Sequence, residues 1–466
     1  MLKKPEHVVV IGAGPAGLMA AHELSQAGVA VTLLERRKVS GGLGGTVAFE
    51  SRHGTFRFDF GGHRFITHNA ALLKLVEDLV GDDLLYAERR SVIRLGGRTY
   101  DYPLAPANLL ANAPPAMLAG AACDLGVRML PWHRQTPGDD FASWTRARFG
   151  PTLYRTFFEG YTRKLWGVEP TELSGDWAQQ RISLVDLKDV ARRLVPGKRS
   201  NVRTYARTYR YPRLGFGVIF DRLVTRLVAR GVRLCHGAEV VRLGERGGRI
   251  TEVVTGEGPI ACDAVVSTVP LPDMVRLTGG QSRLSFRGLR FFNMVMAREN
   301  ISPWTWQYLS DPDILATRLQ EPRRRSPEMA PPGMTSMMLE IPCDPGEALW
   351  EMDDDALFAR VCPDLVRLGI DPAAATGEYF SARTATAYPL MVCGYQVERE
   401  AAFAHLSRYS NLVQCGRLGT FRYVFTDTAM EMGMMAAASV LGGAVAPAAI
   451  HAHRNEPTVL EIQSVA

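Results

Sequence analysis

Residues 8–17 read Val-Val-Val-Ile-Gly-Ala-Gly-Pro-Ala-Gly, and no other stretch limits the fold so tightly. Four apolar residues in a row suit a strand buried on both faces. Gly12, Gly14 and Gly17 follow at the spacing GxGxxG. Pro15 to Ala27 carries a helical pattern, with apolar Leu18, Ala21 and Leu24 and with Gly28 as its stop. Val29 to Glu35 reads as a second strand, parallel to the first. Each glycine of this βαβ unit has its own task. Gly12 permits the tight turn. Gly14 lets backbone approach a pyrophosphate on the helix N-terminus, at Pro15 and Ala16, and Gly17 lets helix and strand pack closely. Glu35 lies 18 residues after Gly17 and ends the second strand, where a carboxylate accepts hydrogen bonds from a ribose diol. A 2′-phosphate would meet a like charge there, which speaks against NADP. Between FAD and NAD the motif is nearly silent.

The chain has 466 residues, more than one core usually holds, so two domains are expected. A composition 46% hydrophobic and 22% charged is that of a folded protein. Basic residues number 54 against 48 acidic, for a net charge of +6. Seven of the 54 are lysines, which leaves 54 − 7 = 47 arginines. Coding bias explains such a surplus, and so do arginines that clamp phosphate or carboxylate in a bidentate fork; composition does not choose. No aromatic-interleaved basic stretch occurs, which argues against nucleic acid as a partner. The seven cysteines are scattered and form no CxxC pair. A disulfide framework and a metal site are therefore not expected, and a reducing, cytoplasmic location is. The N-terminus reads as a strand entering a turn rather than a signal peptide. The apolar region Leu104 to Leu130 is broken by Pro106, Pro114, Pro115, Asp124 and Arg128, too often for a spanning helix. A monotopic membrane contact there stays open, as does the oligomeric state.

The α/β texture comes in three pieces. The expected division places a Rossmann-type domain at 1–100, 215–285 and 395–445. A mixed α+β substrate domain occupies 101–214 and 286–394, and 446–466 form a C-terminal tail. Helices are expected over Ala70–Val80, Phe141–Phe149, Trp177–Val195, Gly217–Arg230 and Ala429–Leu441. Residues 286–394 read as strands, interrupted by the loop Glu321 to Pro332, whose Arg323-Arg324-Arg325 run reads as solvated.

Two further glycine motifs add to the first. Gly41-Gly42-Leu43-Gly44-Gly45-Thr46 lets backbone pass close to a large flat ligand and offers N–H groups to phosphate; a flexible surface loop would have the same composition. In Asp59-Phe60-Gly61-Gly62-His63-Arg64-Phe65, an aromatic ring system could lie against Gly61 and Gly62 with His63 and Arg64 at its edge. His63 reads either as a base, as a hydrogen bond to that edge, or as a structural histidine beside the turn.

Taken in this order, GxGxxG, acid, GGxxxT and DxGGHRF resemble the flavin-containing amine oxidase superfamily. The sequence is most similar to its protoporphyrinogen-oxidase-like and UDP-galactopyranose-mutase-like branch. Tyr161–Gly167 with Asp176–Ile182, Tyr211–Gly217 and Gly416–Tyr423 agree with that branch, and the resemblance runs over residues 6–440. It implies an α/β, glutathione-reductase-like FAD-binding domain interleaved with a substrate domain, and FAD held noncovalently in an extended pose. Glycines 12, 14, 17, 42, 44, 61 and 62, with Pro15, Ala16, Glu35, Arg36, Thr46 and His63, would hold that cofactor. Gly416, Arg417 and Met432 would close over the ribityl chain and ring, and the Val240 backbone would meet the adenine end. His63, Arg64, Arg181, Tyr388 and Tyr423 are the candidate catalytic residues; Arg181 could equally bridge Asp176. The implied activity is oxidation of a small molecule by hydride transfer to flavin N5, in a biosynthetic pathway. The alternative is a mutase-like, non-redox isomerisation of a sugar or nucleotide sugar by reduced FAD. This chain reads Ala387-Tyr388-Pro389 where the mutases carry two tyrosines, and Val424-Phe425 where they carry polar residues. Its pocket wall is accordingly more apolar.

Overall fold

The computed structural model describes residues 4–102, 104–129, 138–181 and 208–455. Its first sheet is five-stranded and wholly parallel. At its centre stands β1 (His7–Ile11), flanked by Ala264–Ser267 and by β2 (Ala30–Glu35). Leu412–Gln414 and Arg233–His236 close the two edges. Val8, Val9 and Val10 are fully buried, as a central parallel strand requires. The helix α1 (Pro15–Gln26) begins with Pro at its first position, where a missing N–H costs nothing. It ends before Gly28, whose φ of 72° is the left-handed stop.

Small residues on α1 admit a second helix, Thr426–Val440, at very short range. A Cβ added at Gly433 would stand 2.1 Å from the Ala16 carbonyl oxygen. Helix Val218–Ala229 covers the same side, burying Ile219, Phe220, Leu223 and Leu227 in the core with Leu18 and Leu24. A three-stranded antiparallel sheet, Val240–Ala261, follows the Arg233–His236 edge strand in sequence.

The second large sheet has seven strands. In spatial order they are Ala375–Pro389, Phe286–Met296, Thr335–Pro342, Arg318–Gln320, Trp306–Leu309, Ser91–Leu95 and Arg98–Asp101. Strand 91–95, which precedes the expected boundary at residue 100, and strand 98–101, which straddles it, thus both hydrogen-bond into this sheet. Phe286–Met296 is buried almost throughout and carries Arg290, which is fully shielded from solvent. That guanidinium donates to Ser381 Oγ, to the Leu349 and Met352 carbonyls, and to Asp354 at 2.6–2.7 Å. Part of the arginine surplus is therefore structural: a buried charge persists only when its donors are satisfied.

Segment 286–394 is not all strand. Helix Asp354–Arg367, capped by Asp353, covers one face of the sheet with Leu357, Val361 and Leu365. The expected helix from Phe141 runs on to Leu153 through a break at Gly150, beside Pro151. Helix Gly175–Arg181 opens the expected Trp177–Val195 stretch; 182–195 lie outside the described residues. Among the described residues no helix is long and apolar enough to cross a membrane.

Candidate active site

A cleft of about 580 Å³ opens at the C-terminal ends of β1 and β2. This is where open parallel sheets bind ligands. Gly12, Gly14, Pro15, Ala16, Glu35, Arg36, Gly42, Gly44, His63, Val240, Gly416 and Arg417 line it. Gly12 adopts φ 98° and accepts the Thr268 side chain so closely that a Cβ there would stand 2.1 Å from Oγ1. Gly17 is behind the wall, where its Cβ would stand 1.8 Å from the Gly12 carbonyl oxygen. Gly14 differs: nothing lies within 4 Å of its Cβ position, so it faces open space at the start of α1. No side chain caps that helix, and its first N–H groups are left to the cleft.

Glu35 is buried and held in place by backbone donors. Its carboxylate accepts from Ala13 N and from Arg37 N, both at 2.9 Å. The Gly41–Gly45 loop folds onto the fingerprint through Gly41 N, which donates to the Ala13 carbonyl at 2.8 Å. The loop is thus packed rather than free.

Besides Gly17, two expected cofactor residues line neither this cleft nor the cavity beside it. Thr46 uses its hydroxyl to donate to Asp59 at 2.6 Å and to accept from Gly217 N at 2.8 Å. It joins two chain segments behind the loop. Met432 is fully buried in the core beneath α1.

His63 stands at the far end of the cleft, where a second cavity of about 120 Å³ begins. Gly61, Gly62, Arg64, Tyr388 and Tyr423 line this cavity, and His63 and Arg417 belong to both. The imidazole stacks on Phe216 at 4.9 Å. Burial holds its pKa below the ordinary value, so the ring is neutral. Nε2 lies 2.9 Å from the Phe60 carbonyl, which can only accept. Nε2 therefore carries the proton and Nδ1 is left as an acceptor.

Around the cavity the rings are dense. Tyr388 and Tyr423 lie 5.8 Å apart, with Trp177 5.1 Å from Tyr423 and Trp166 5.7 Å from Tyr388. Arg417 lies over both tyrosines, 4.3 Å from the Tyr423 ring centre and 5.1 Å from that of Tyr388, and donates to the Ala387 carbonyl. Burial pushes the Tyr388 phenol up to about 12, so it stays protonated. Arg181 ends its helix, but its side chain lies outside the described residues.

The same wall holds a pair that the sequence reading passed over. Arg318 donates to Glu340 at 2.6 Å, and both line the cavity. Gln320 donates to the other Glu340 oxygen and accepts from Arg325. Arg325 is buried, so the Arg323–Arg325 run is not a solvated loop. Its surroundings explain this: Glu321 is wholly buried and ties the turn through Ile301 N, Ser302 N and the Thr335 hydroxyl. One signal was available, because Glu340 interrupts the apolar run Met337-Met338-Leu339-Glu340-Ile341. A carboxylate inside a buried strand calls for a partner.

With this geometry in place, the comparisons with known proteins agree with one another. The family description "Flavin containing amine oxidoreductase" matches residues 15–441. A phytoene dehydrogenase from Streptomyces griseus is 29% identical over 396 residues, 72% of this chain and 73% of that protein. The crystal structure of reduced UDP-galactopyranose mutase superposes with a TM-score of 0.81 at 21% identity, covering 97% of this chain and all of the other. A protoporphyrinogen oxidase-like protein from Exiguobacterium sp. 255-15 gives a TM-score of 0.72 at 16% identity, covering 95% and 98%.

Proposed function

The chain belongs to the family of flavin containing amine oxidoreductases, flavin-dependent enzymes of small-molecule substrates, and from that premise we propose that it is an FAD-dependent oxidoreductase that oxidises its substrate by hydride transfer to flavin N5. The observation that carries this reading is the continuity of the two cavities at His63 and Arg417. A cofactor along the cleft and a substrate in the cavity would meet there. The donor set fits an extended dinucleotide. Gly14 leaves open space at the helix N-terminus, Glu35 offers a fixed carboxylate at the end of β2, and Val240 borders the same cleft.

The chain's own residues would then divide the work. Gly14, Pro15 and Ala16 bind the pyrophosphate and Glu35 a ribose. Neutral His63 presents an acceptor at Nδ1, and Tyr388 a phenolic donor. Arg64 and Arg417 orient an anionic group of the substrate, while the rings of Tyr423, Trp306 and Phe425 exclude water. The interleaved domain division, with boundaries at 214, 285, 394 and 445, remains part of this proposal; the first boundary, expected at 100, moves ahead of strands 91–95 and 98–101, which pair into the second sheet.

A second reading is a non-redox isomerase of a nucleotide sugar that works with reduced FAD. The three guanidinium groups lining the cavity, those of Arg64, Arg318 and Arg417, support it, since they suit a diphosphate. Anaerobic assays separate the two. The redox reading expects substrate to bleach the oxidised flavin, and expects dithionite-reduced protein to leave UDP-galactopyranose unchanged. Isomerisation by the reduced protein without flavin reoxidation would overturn it in favour of the second.

A further inference from the structure

The expected C-terminal tail begins with a helix, Pro447–Ala452, and His453 Nε2 then lies 2.9 Å from Glu431 on helix Thr426–Val440. The His451 carbonyl accepts from Arg399 Nη2 and from Arg422 Nε, each at 2.6 Å. Arg399 also donates to the Thr420 carbonyl at 2.8 Å. Two guanidinium groups thus tie this segment to residues 420–422, which lie between Arg417 and Tyr423 of the candidate site.

Phe421, in the middle of that stretch, adopts φ 50° and is the one non-glycine residue at positive φ among the described residues. A bulky side chain is an outlier there, and such strain persists only where the surroundings over-determine it. Here they do. Phe421 is fully buried with its ring 5.1 Å from that of Phe286, and the residues on either side carry the ties just named.

Asn455 acts just beyond the strained residue. Its Oδ1 accepts from Phe425 N at 2.7 Å, and its Nδ2 donates to the Tyr423 carbonyl at 3.1 Å. One side-chain amide thereby pairs both backbone groups that flank Val424, as a neighbouring strand would. Asparagine suits the task because it offers a donor and an acceptor together; aspartate at neutral pH offers only acceptors, and alanine offers neither. Val424, Phe425 and Thr426 line the cleft and the cavity alike, and Tyr423 lines the cavity.

We propose that Asn455 is a positioning residue, which fixes the wall shared by flavin and substrate against the strain at Phe421. It lines neither the cleft nor the cavity and acts through residues 423–425. The ligands of that wall rest on the flavin reading; the hold on the backbone does not.

The full-length holoprotein carrying Asn455→Ala or Asn455→Asp tests this. Asn455→Ala should weaken FAD binding about fivefold in a fluorescence titration and alter the visible circular dichroism of the bound flavin. The amides of residues 423–426 should exchange hydrogen about tenfold faster, while those of β1 and α1 keep their rates. Asn455→Asp keeps an acceptor for Phe425 N but has no donor for Tyr423, so it should fall between wild type and Asn455→Ala. An Asn455→Ala protein with unchanged local exchange would overturn the proposal. So would an unchanged flavin signal in the holoprotein, or exchange that quickens equally in β1 and α1, since Asn455 would then serve only general stability. The exchange readout needs no flavin. A wild-type protein that binds no FAD would fail the flavin reading, and the rates at 423–426 would still decide whether Asn455 holds the wall.

Discussion

The cleft over β1 takes its floor from glycines and backbone at 11–16, 42–44 and 416–418, while 34–37, 238–241 and 268–277 add side chains such as Arg36, Val240 and Arg276. The cavity beside it is walled by long side chains, many of them from strands of the seven-stranded sheet. In the cleft, shape comes from what is missing: a Cβ at Gly12 or Gly17 would collide with its own fold. In the cavity, shape comes from what is paired: Arg318 with Glu340, Arg417 over two tyrosines. A glycine cleft therefore tolerates change only where it faces open space. A cavity of paired charges tolerates change only where a charge is not left alone.

The largest effect should come from the cavity. Glu340→Gln strips Arg318 of its counter-charge in a buried site, and breaking such a pair costs about 3–5 kcal/mol. Urea unfolding at neutral pH should show that loss. A change below about 1 kcal/mol would mean the pair does not support the wall. Next comes the cleft. Gly17→Ala drives a Cβ into the Gly12 carbonyl, and overpacking of this kind costs about 1–3 kcal/mol. It should also empty the flavin site, because Gly12 is displaced.

A smaller effect should appear with pH, and it belongs to the frame around both regions. His22 on α1 and His451 near the C-terminus have pKa values of about 4, below the ordinary 6.5, because burial and neighbouring arginines disfavour their charged forms. Between pH 6.5 and 4 the unfolded chain takes up protons that the folded chain refuses. Stability should therefore fall as pH falls through that window. The double variant His22→Gln/His451→Gln should flatten the slope of melting temperature against pH, by about 2–4 °C at pH 5. An unchanged slope would assign acid sensitivity to other groups.

The smallest change in stability should come from Gly14→Ala. Its φ of −80° suits alanine and its Cβ position is open, so melting of the flavin-free protein should shift by less than about 0.5 kcal/mol. Flavin affinity should nevertheless drop about tenfold, since the methyl group enters the ligand's space. Gly17→Ala and Gly14→Ala thus split fold from function within one motif.

The two regions were unequally legible in the sequence. Local patterns set β1, α1 and the helix Ala70–Val80, because strand burial, a glycine turn and Asn69 as cap act within a few residues. The glycines and Glu35 of the cleft were readable for the same reason. Tyr388, Tyr423, Arg417, His63 and Arg64 carry recognisable motifs, and the fold gathers them around one cavity. Arg318 and Glu340 carry none. They meet through the pairing of Arg318–Gln320 with Thr335–Pro342, whose register no local pattern announces. Arg325 looked solvated because arginine runs usually are, and only the buried Glu321 beneath them makes the turn rigid. Thr46 and Met432 sit in motifs that fit a ligand, yet their side chains serve packing.

FAD lying noncovalently in the glycine cleft is the central claim, and one measurement addresses it directly. The full-length protein, purified without added flavin and then denatured in acid, should release FAD at one molecule per chain, identified by mass; Gly14→Val should release almost none while keeping its melting temperature when flavin-free. A wild-type preparation that is colourless and takes up no FAD would contradict the central claim, and so would a Gly14→Val protein that retains the full amount.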